Sequence, residues 1–164
     1  MLNMPCECTS SKNNEIHTPL NIVLKCLSLM NIQETDIVLD CCAGTNLIWY
    51  NNINSISKEW CEILKGVDFM DYQGEIDYLV GNLPFNKFKE FFEKIMSLKI
   101  NKGIGIISLS HHFTPTRLLR MQEKGFYISH IRRLKIPEWK FGYNVDFVLF
   151  NKIENKFFNV LISK

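Results

Sequence analysis

Asn82-Leu83-Pro84-Phe85 closes the apolar run Ile76-Asp77-Tyr78-Leu79-Val80-Gly81. A proline straight after a strand stops the ladder, because it has no N–H and its φ is fixed. Leu83, which precedes it, is held out of the α region. The expected product is a stiff, exposed elbow that presents one amide and one aromatic ring. Such an elbow suits a planar group bearing an NH₂: the Asn82 carbonyl and a nearby backbone carbonyl accept two hydrogen bonds, and Phe85 offers a stacking face. A plain strand-ending turn gives the same four residues, so the reading depends on what lies upstream.

Three acidic positions precede the elbow. Asp40-Cys41-Cys42-Ala43-Gly44-Thr45-Asn46 follows a short apolar strand, where Gly44 allows a tight turn and close approach to a ligand. The loop lacks the second and third glycines of a dinucleotide cradle, with Asn46 where one could stand; Asn tolerates positive φ, so the turn survives and NAD is disfavoured. Glu62 comes 22 residues after Asp40, at the distance where an acid meets ribose hydroxyls in doubly wound sheets. Asp68-Phe69 offers a carboxylate to an amino group and a ring to a base face. An acid at a strand end is by itself more often a turn residue; the ordered series carries the argument.

The elements that must hold these residues alternate. Thr18-Pro19 opens a helix to about residue 31, with Thr18 as the cap and Leu20, Val23, Leu24, Leu27 and Met30 at helical spacing. Strands are expected at 36–40, 57–64, 67–70, 76–82, 104–109, 127–136 and 145–152, and helices at 46–53, 86–98 and 116–124. Ile104-Gly105-Ile106-Ile107-Ser108-Leu109 is apolar throughout, as in a strand covered on both faces. Short buried strands alternating with helices give an α/β sandwich whose sheet is mainly parallel. The last two strands lack an intervening helix and should form an antiparallel edge hairpin. At the switch point the first and fourth strands are expected side by side, which brings the loop after Asp40 to the elbow.

The 164 residues fit one domain over 15–164 behind a disordered polar tail, 1–14. No apolar run is long enough to cross a bilayer, and no signal peptide is read at the N-terminus. Six cysteines lack the spacing of a disulfide framework or a paired zinc site, so buried free thiols, no metal and a reducing compartment (cytoplasm or nucleus) are expected. A net charge of +2 conceals a division: residues 1–86 hold 4 of the 19 Lys/Arg and 11 of the 17 Asp/Glu. The acidic half suits a cationic or hydroxyl-rich small ligand, and the basic half a polyanion; a solvated lysine-rich surface explains the latter equally well. The Asn-, Ile- and Lys-rich composition fits an A/T-rich genome such as that of a virus or mobile element.

The series Thr18-Pro19, Asp40 to Asn46, Glu62, Asp68-Phe69, Asn82-Leu83-Pro84-Phe85 resembles the S-adenosylmethionine-dependent amino-methyltransferases, above all the N6-adenine nucleic-acid enzymes. The resemblance covers about residues 16–152. It implies a Rossmann-like class I methyltransferase fold with a mainly parallel seven-stranded sheet. S-adenosyl-L-methionine is the implied cofactor, held by Thr18, Asp40, Cys41, Ala43, Gly44, Glu62, Asp68 and Phe69. Asn82, Leu83, Pro84 and Phe85 are the implied catalytic residues, acting on adenine N6 in DNA or RNA. Leu83 replaces the commoner proline, a form similar to the ribosomal RNA adenine dimethyltransferases. No target-recognition domain is read, so specificity is expected from a partner subunit, a homodimer or structured RNA. The alternatives are a protein glutamine methyltransferase and a non-catalytic subunit that keeps the fold.

Other residues attract attention. His111-His112 follows a strand and could line a target pocket, although such a pair is more often a loop feature. Cys6-x-Cys8 has no second pair and reads as tail. Arg132-Arg133, Lys135 and Lys140, interleaved with Trp139, Phe141 and Tyr143, suit a single-stranded nucleic acid; an edge hairpin with its aromatics packed on the sheet accounts for them nearly as well.

Overall fold

The computed structural model describes residues 17–137, 139 and 144–152. The tail 1–14, Cys6, Cys8, Lys140, Phe141 and Tyr143 lie outside the described residues.

Six strands form one sheet in the order β2-β1-β3-β4-β6-β5. They are β1 (Ile37–Asp40), β2 (Ser57–Trp60), β3 (Glu75–Asn82), β4 (Lys99–Leu109), β5 (Phe126–Leu134) and β6 (Val145–Lys152). The first four run parallel; β6 pairs antiparallel with β4 and with β5, giving the expected edge hairpin. β1 lies directly beside β3, so the strand before the Asp40 loop neighbours the strand that ends in the elbow.

Helices α1 (Leu20–Leu27) and α2 (Ile48–Asn52) cover one face; α3 (Phe88–Ser97) and α4 (Pro115–Glu123) cover the other. Val23, Cys26 and Trp49 pack with Val38, Val80, Ile107 and Phe147 on the first face. On the second, Phe88, Phe92 and Ile95 of α3 and Met121 of α4 meet Leu39, Leu79, Ile104 and Ile106. Burial on both faces explains why β4 is apolar from Gly103 to Leu109 save for Ser108, whereas its first residues carry Lys99, Asn101 and Lys102. Each fully buried large apolar side chain contributes about 1.5–3 kcal/mol, so the central strands anchor the molecule. α4 begins as its residues require, with Thr114 Oγ1 accepting from the Arg117 N–H and Pro115 in the first turn, and Gly125 at φ 84° turns the chain out of it.

Three local expectations are corrected. Among the described residues the sheet has six strands, not seven, because residues 67–70 do not form one: only Val67 bridges to Glu62, and Phe69–Asp71 is a 3₁₀ turn. β2 likewise stops at Trp60, and a second 3₁₀ turn covers Ile63–Lys65. Thr18 does not cap α1; Pro19 occupies the cap position, and the buried Thr18 hydroxyl instead accepts from the Trp49 indole N–H at 3.4 Å. A buried indole donor needs a partner, and that need takes the hydroxyl.

Gly105 lies under α1's end at the middle of the sheet. A Cβ there would stand 2.7 Å from Met30 Sδ and 2.9 Å from the Phe147 ring. Met30 can swing aside, but Phe147 is fully buried and stacked with Trp49. Gly105→Ala should therefore destabilise the protein by about 1–3 kcal/mol in urea unfolding, the usual cost of overpacking.

Candidate functional site

A cleft of about 700 Å³ opens at the C-terminal ends of β1, β2 and β3. That volume lies within the ordinary range of small-molecule sites. Thr18, Cys41, Ala43, Gly44, Glu62, Asp68 and Phe69 line it, and so do Asn82, Leu83, Pro84 and Phe85. The residues expected to hold a cofactor and those expected to act on an acceptor thus share one cavity. Asp40 is the exception.

Asp40 lies beneath the loop, fully buried. Its Oδ1 accepts from the Cys42 N–H at 3.3 Å and its Oδ2 from the Tyr50 N–H at 3.1 Å. The carboxylate therefore ties the loop after β1 to α2. Burial drives its pKa up to about 7; the two backbone donors oppose that shift, and the charge of Glu62 adds to it.

Backbone hydrogen bonds stitch the same loop to both neighbouring strands. The Cys41 N–H donates to Val80 O at 2.9 Å, the Ala43 N–H to Cys61 O at 3.0 Å, and the Cys61 N–H to Asp40 O at 2.8 Å. Gly44 takes φ 64°, the left-handed turn expected of it. The second positive φ falls at Leu47 (53°), not at Asn46, whose Oδ1 accepts from the Ile48 N–H and so helps start α2. Cys41 and Cys61 are buried and Cys42 half-buried, all as free thiols. Burial pushes the Cys61 thiol up to about 12 and holds Cys42 well above the usual thiol range.

Glu62 and Asp68 each head a 3₁₀ turn. Glu62 Oε1 accepts from the Leu64 N–H and Asp68 Oδ1 from the Met70 N–H, both at 2.9 Å. One oxygen of each carboxylate is fixed by its own turn, which aims the side chain; the other is the one that can meet a ligand hydroxyl or amine. Phe69 is buried and stacks on Phe91 of α3 at 5.3 Å.

The elbow is less exposed than its sequence implies. Leu83 is buried and its N–H donates to Ile107 O at 3.1 Å, so the turn grows out of the β3–β4 pairing. Pro84 follows at φ −63°, then a 3₁₀ turn, Phe85–Lys87, leads into α3. Asn82 Oδ1 is shielded from solvent. Gly81 brings β3 against the loop: a Cβ there would lie 3.0 Å from Cys41 Sγ.

Ile48 and Trp49 of α2, and Lys87, Glu90 and Phe91 at the start of α3, also line the cleft but were not singled out in the sequence. The last three recur at i, i+3 and i+4 directly after the elbow, a spacing that places them on one helical face and was the available signal. His112 lies behind the elbow, its ring 6.5 Å from that of Phe85. Trp139 meets Phe85 edge-on at 6.4 Å and donates to His17 O. Arg133 pairs with Asp146, whereas Arg132 and Lys135 are exposed. Among the described residues no His, Cys, Asp and Glu cluster has the form of a metal site, and no helix is long and apolar enough to cross a membrane.

Neither protein-family models nor curated protein sequences match the chain. Solved structures do. It superposes on a dimethyladenosine transferase from Plasmodium falciparum with a TM-score of 0.61 and 12% identity, covering 85% of this chain and 64% of that one. With the 23S rRNA methyltransferase ErmE the TM-score is 0.60 and the identity 10%, over 85% of this chain and 70% of that one. A chain of the E. cuniculi complex responsible for methylation of a translation termination factor gives 0.58 and 15%, over 83% and 97%. The chain thus spans less than two thirds of the Plasmodium protein's length. At these identities the likeness is one of fold, and the fold is that of the Rossmann-like class I methyltransferases.

The raised pKa of Asp40 gives a testable pH dependence. Between the ordinary aspartate value and about 7 the native state binds a proton that the unfolded chain has released. Stability from this group is therefore highest at low pH and falls as pH rises from about 4 to about 7. Urea unfolding of the wild type should show that decline, and Asp40→Asn should lack it.

Proposed function

We propose that this protein is an S-adenosylmethionine-dependent methyltransferase that acts on the exocyclic N6 amino group of adenine in RNA or DNA. The observation that carries the reading is the cleft that Gly44, Glu62 and Asp68 share with Asn82 and Phe85. The residues present fit the cofactor. Glu62 can accept from ribose hydroxyls and Asp68 from an adenine amino group, while the glycine turn leaves room beside the Cys41–Gly44 backbone. When bound, S-adenosylmethionine supplies a methyl group on a sulfonium already activated for transfer.

The acceptor is the difficult partner, since the adenine amino lone pair is delocalised into its ring. Asn82 Oδ1 and the Leu83 carbonyl, accepting from the two N–H groups, localise that pair and stabilise the positive charge that develops on nitrogen. Preorganised acceptors of this kind contribute about 3 kcal/mol each to the transition state. Nitrogen's pair forms the new N–C bond, the S–C pair returns to sulfur, and a nitrogen proton leaves to solvent. Phe85 stacks the unpaired base, worth about 1–3 kcal/mol. No residue need act as a base before attack.

Charge supports a nucleic acid as the carrier of the acceptor. Lys87 lines the elbow side of the cleft. Arg132 and Lys135 stand at the end of β5, which the pairing Leu134–Val145–Leu109 places at the same end of the sheet. A side-chain amide presents the same NH₂ to the same elbow, so a protein glutamine is the second reading; the likeness to the E. cuniculi structure, whose complex methylates a translation termination factor, favours a protein acceptor for it.

The test is transfer of labelled methyl from S-adenosylmethionine to adenine-containing RNA and DNA oligonucleotides and to glutamine peptides, with the product identified by mass spectrometry. The expected product is N6-methyladenine, in a reaction that weakens steeply with salt. Asn82→Ala should lower kcat by about 10²–10³-fold with cofactor affinity nearly unchanged. Label confined to the peptide amide would overturn the nucleic-acid reading.

A further inference from the structure

His112 belongs to a built network behind the elbow. Ser108, fully buried at the end of β4, has its Oγ 2.8 Å from His112 Nδ1. The imidazole stacks on Phe88, centroid to centroid 4.4 Å at 28°. Arg117 of α4 holds the His112 carbonyl through Nη1 at 2.7 Å, and its guanidinium stands 5.0 Å over the Phe88 ring. Backbone, ring plane and one ring nitrogen are thus all fixed. The constrained imidazole presents itself to Phe85 at 66°, an edge-to-face arrangement.

We propose that His112 is a positioning residue: held by Ser108, Phe88 and Arg117, it fixes the Phe85 ring at the angle from which Phe85 grips the acceptor. The proposal rests on the functional reading above. His112 itself does not line the cleft, so it acts through Phe85 and touches neither cofactor nor acceptor. Burial, aided by the neighbouring His111 and Arg117 charges, lowers its pKa to about 4. At neutral pH the ring is therefore uncharged, which keeps it compatible with stacking on Phe88.

The physical reason to fix Phe85 is orientational. An aromatic face that rotates freely loses part of its stacking energy to the entropy of being ordered on each binding event. A wall that holds the ring removes that loss from acceptor binding and leaves cofactor binding alone.

The test uses the full chain with 4-fluorophenylalanine incorporated at position 85 and read by fluorine NMR, together with steady-state methyl transfer. His112→Ala should shift and broaden the position-85 resonance. It should also raise the acceptor KM by about three- to tenfold, the loss of one edge-to-face aromatic contact, with cofactor affinity little changed and the melting temperature lowered, because buried Ser108 loses its partner. His112→Phe keeps the stack on Phe88 and the edge towards Phe85, and should restore most of the acceptor KM. An unchanged fluorine resonance in His112→Ala would overturn the proposal, as would a loss of cofactor affinity as large as the rise in acceptor KM. If the wild type transfers methyl to no acceptor, the functional reading fails, and the resonance still decides whether His112 orders Phe85.

Discussion

The site depends on one strand being paired on both sides. β1 is only four residues long, yet it runs parallel to β2 and β3 in a register that ends it level with Trp60, the end of β2, and beside Val80, two residues before the end of β3. Whatever follows β1 must therefore pass between the end of β2 and the end of β3. The hydrogen bonds from Cys41 to Val80 and from Ala43 to Cys61 hold it there. Asp40 completes the arrangement from below. A carboxylate with no exposed surface and two backbone donors carries a desolvation cost; the loop geometry from Cys42 to Tyr50 is what that cost maintains. Gly81, where a Cβ would stand 3.0 Å from Cys41 Sγ, lets the elbow strand approach the same loop closely.

This constraint explains how much was legible in the sequence. Central strands carry a strong signal because both faces are covered: Ile104 to Leu109 and Ile76 to Asn82 read as strands without ambiguity. Asp40 and the elbow were legible for the same reason, since each closes an apolar run paired in the sheet; Glu62 and Asp68, which head 3₁₀ turns after the half-exposed β2, were legible only through their order in the series. Residues 67–70 misled because Val67, Phe69 and Met70 are apolar for another purpose. Phe69 is buried by stacking on Phe91, a contact across 22 positions in the chain that no local period reveals. Thr18 misled in the same way, since its hydroxyl serves an indole 31 positions away. Leu47 takes a left-handed turn that its type does not advertise, one residue from the asparagine that would.

The candidate site shows a similar division. Residues on strand ends and in the glycine turn could be picked out by type and spacing. The wall built by α2 and α3 was harder to read: Trp49 is a buried core residue, and Phe91, half-buried against Phe69, is marked only by its spacing after the elbow. His112 was legible only as a residue, not as a neighbour of Phe85, since Ser108, Phe88 and Arg117 reach it from three different elements. The sequence's division of charge also has a spatial meaning. Glu62 and Asp68 lie at the β2 side of the cleft, while Arg132 and Lys135 lie beyond the elbow on the far edge of the sheet. A cleft with carboxylates at one side and cations beyond the other suits a hydroxyl-rich, cationic small ligand and a polyanion that approach from opposite sides.

The central claim is that this cleft holds S-adenosylmethionine through the acid at the end of β2. Titration calorimetry of the wild type and of Glu62→Ala with S-adenosylmethionine tests it most directly. The account predicts saturable one-to-one binding by the wild type, weakened about tenfold or more by loss of the charged acceptor, with both proteins folded at the temperature of the titration. Absence of binding by the wild type, or equal affinity in the variant, would contradict it.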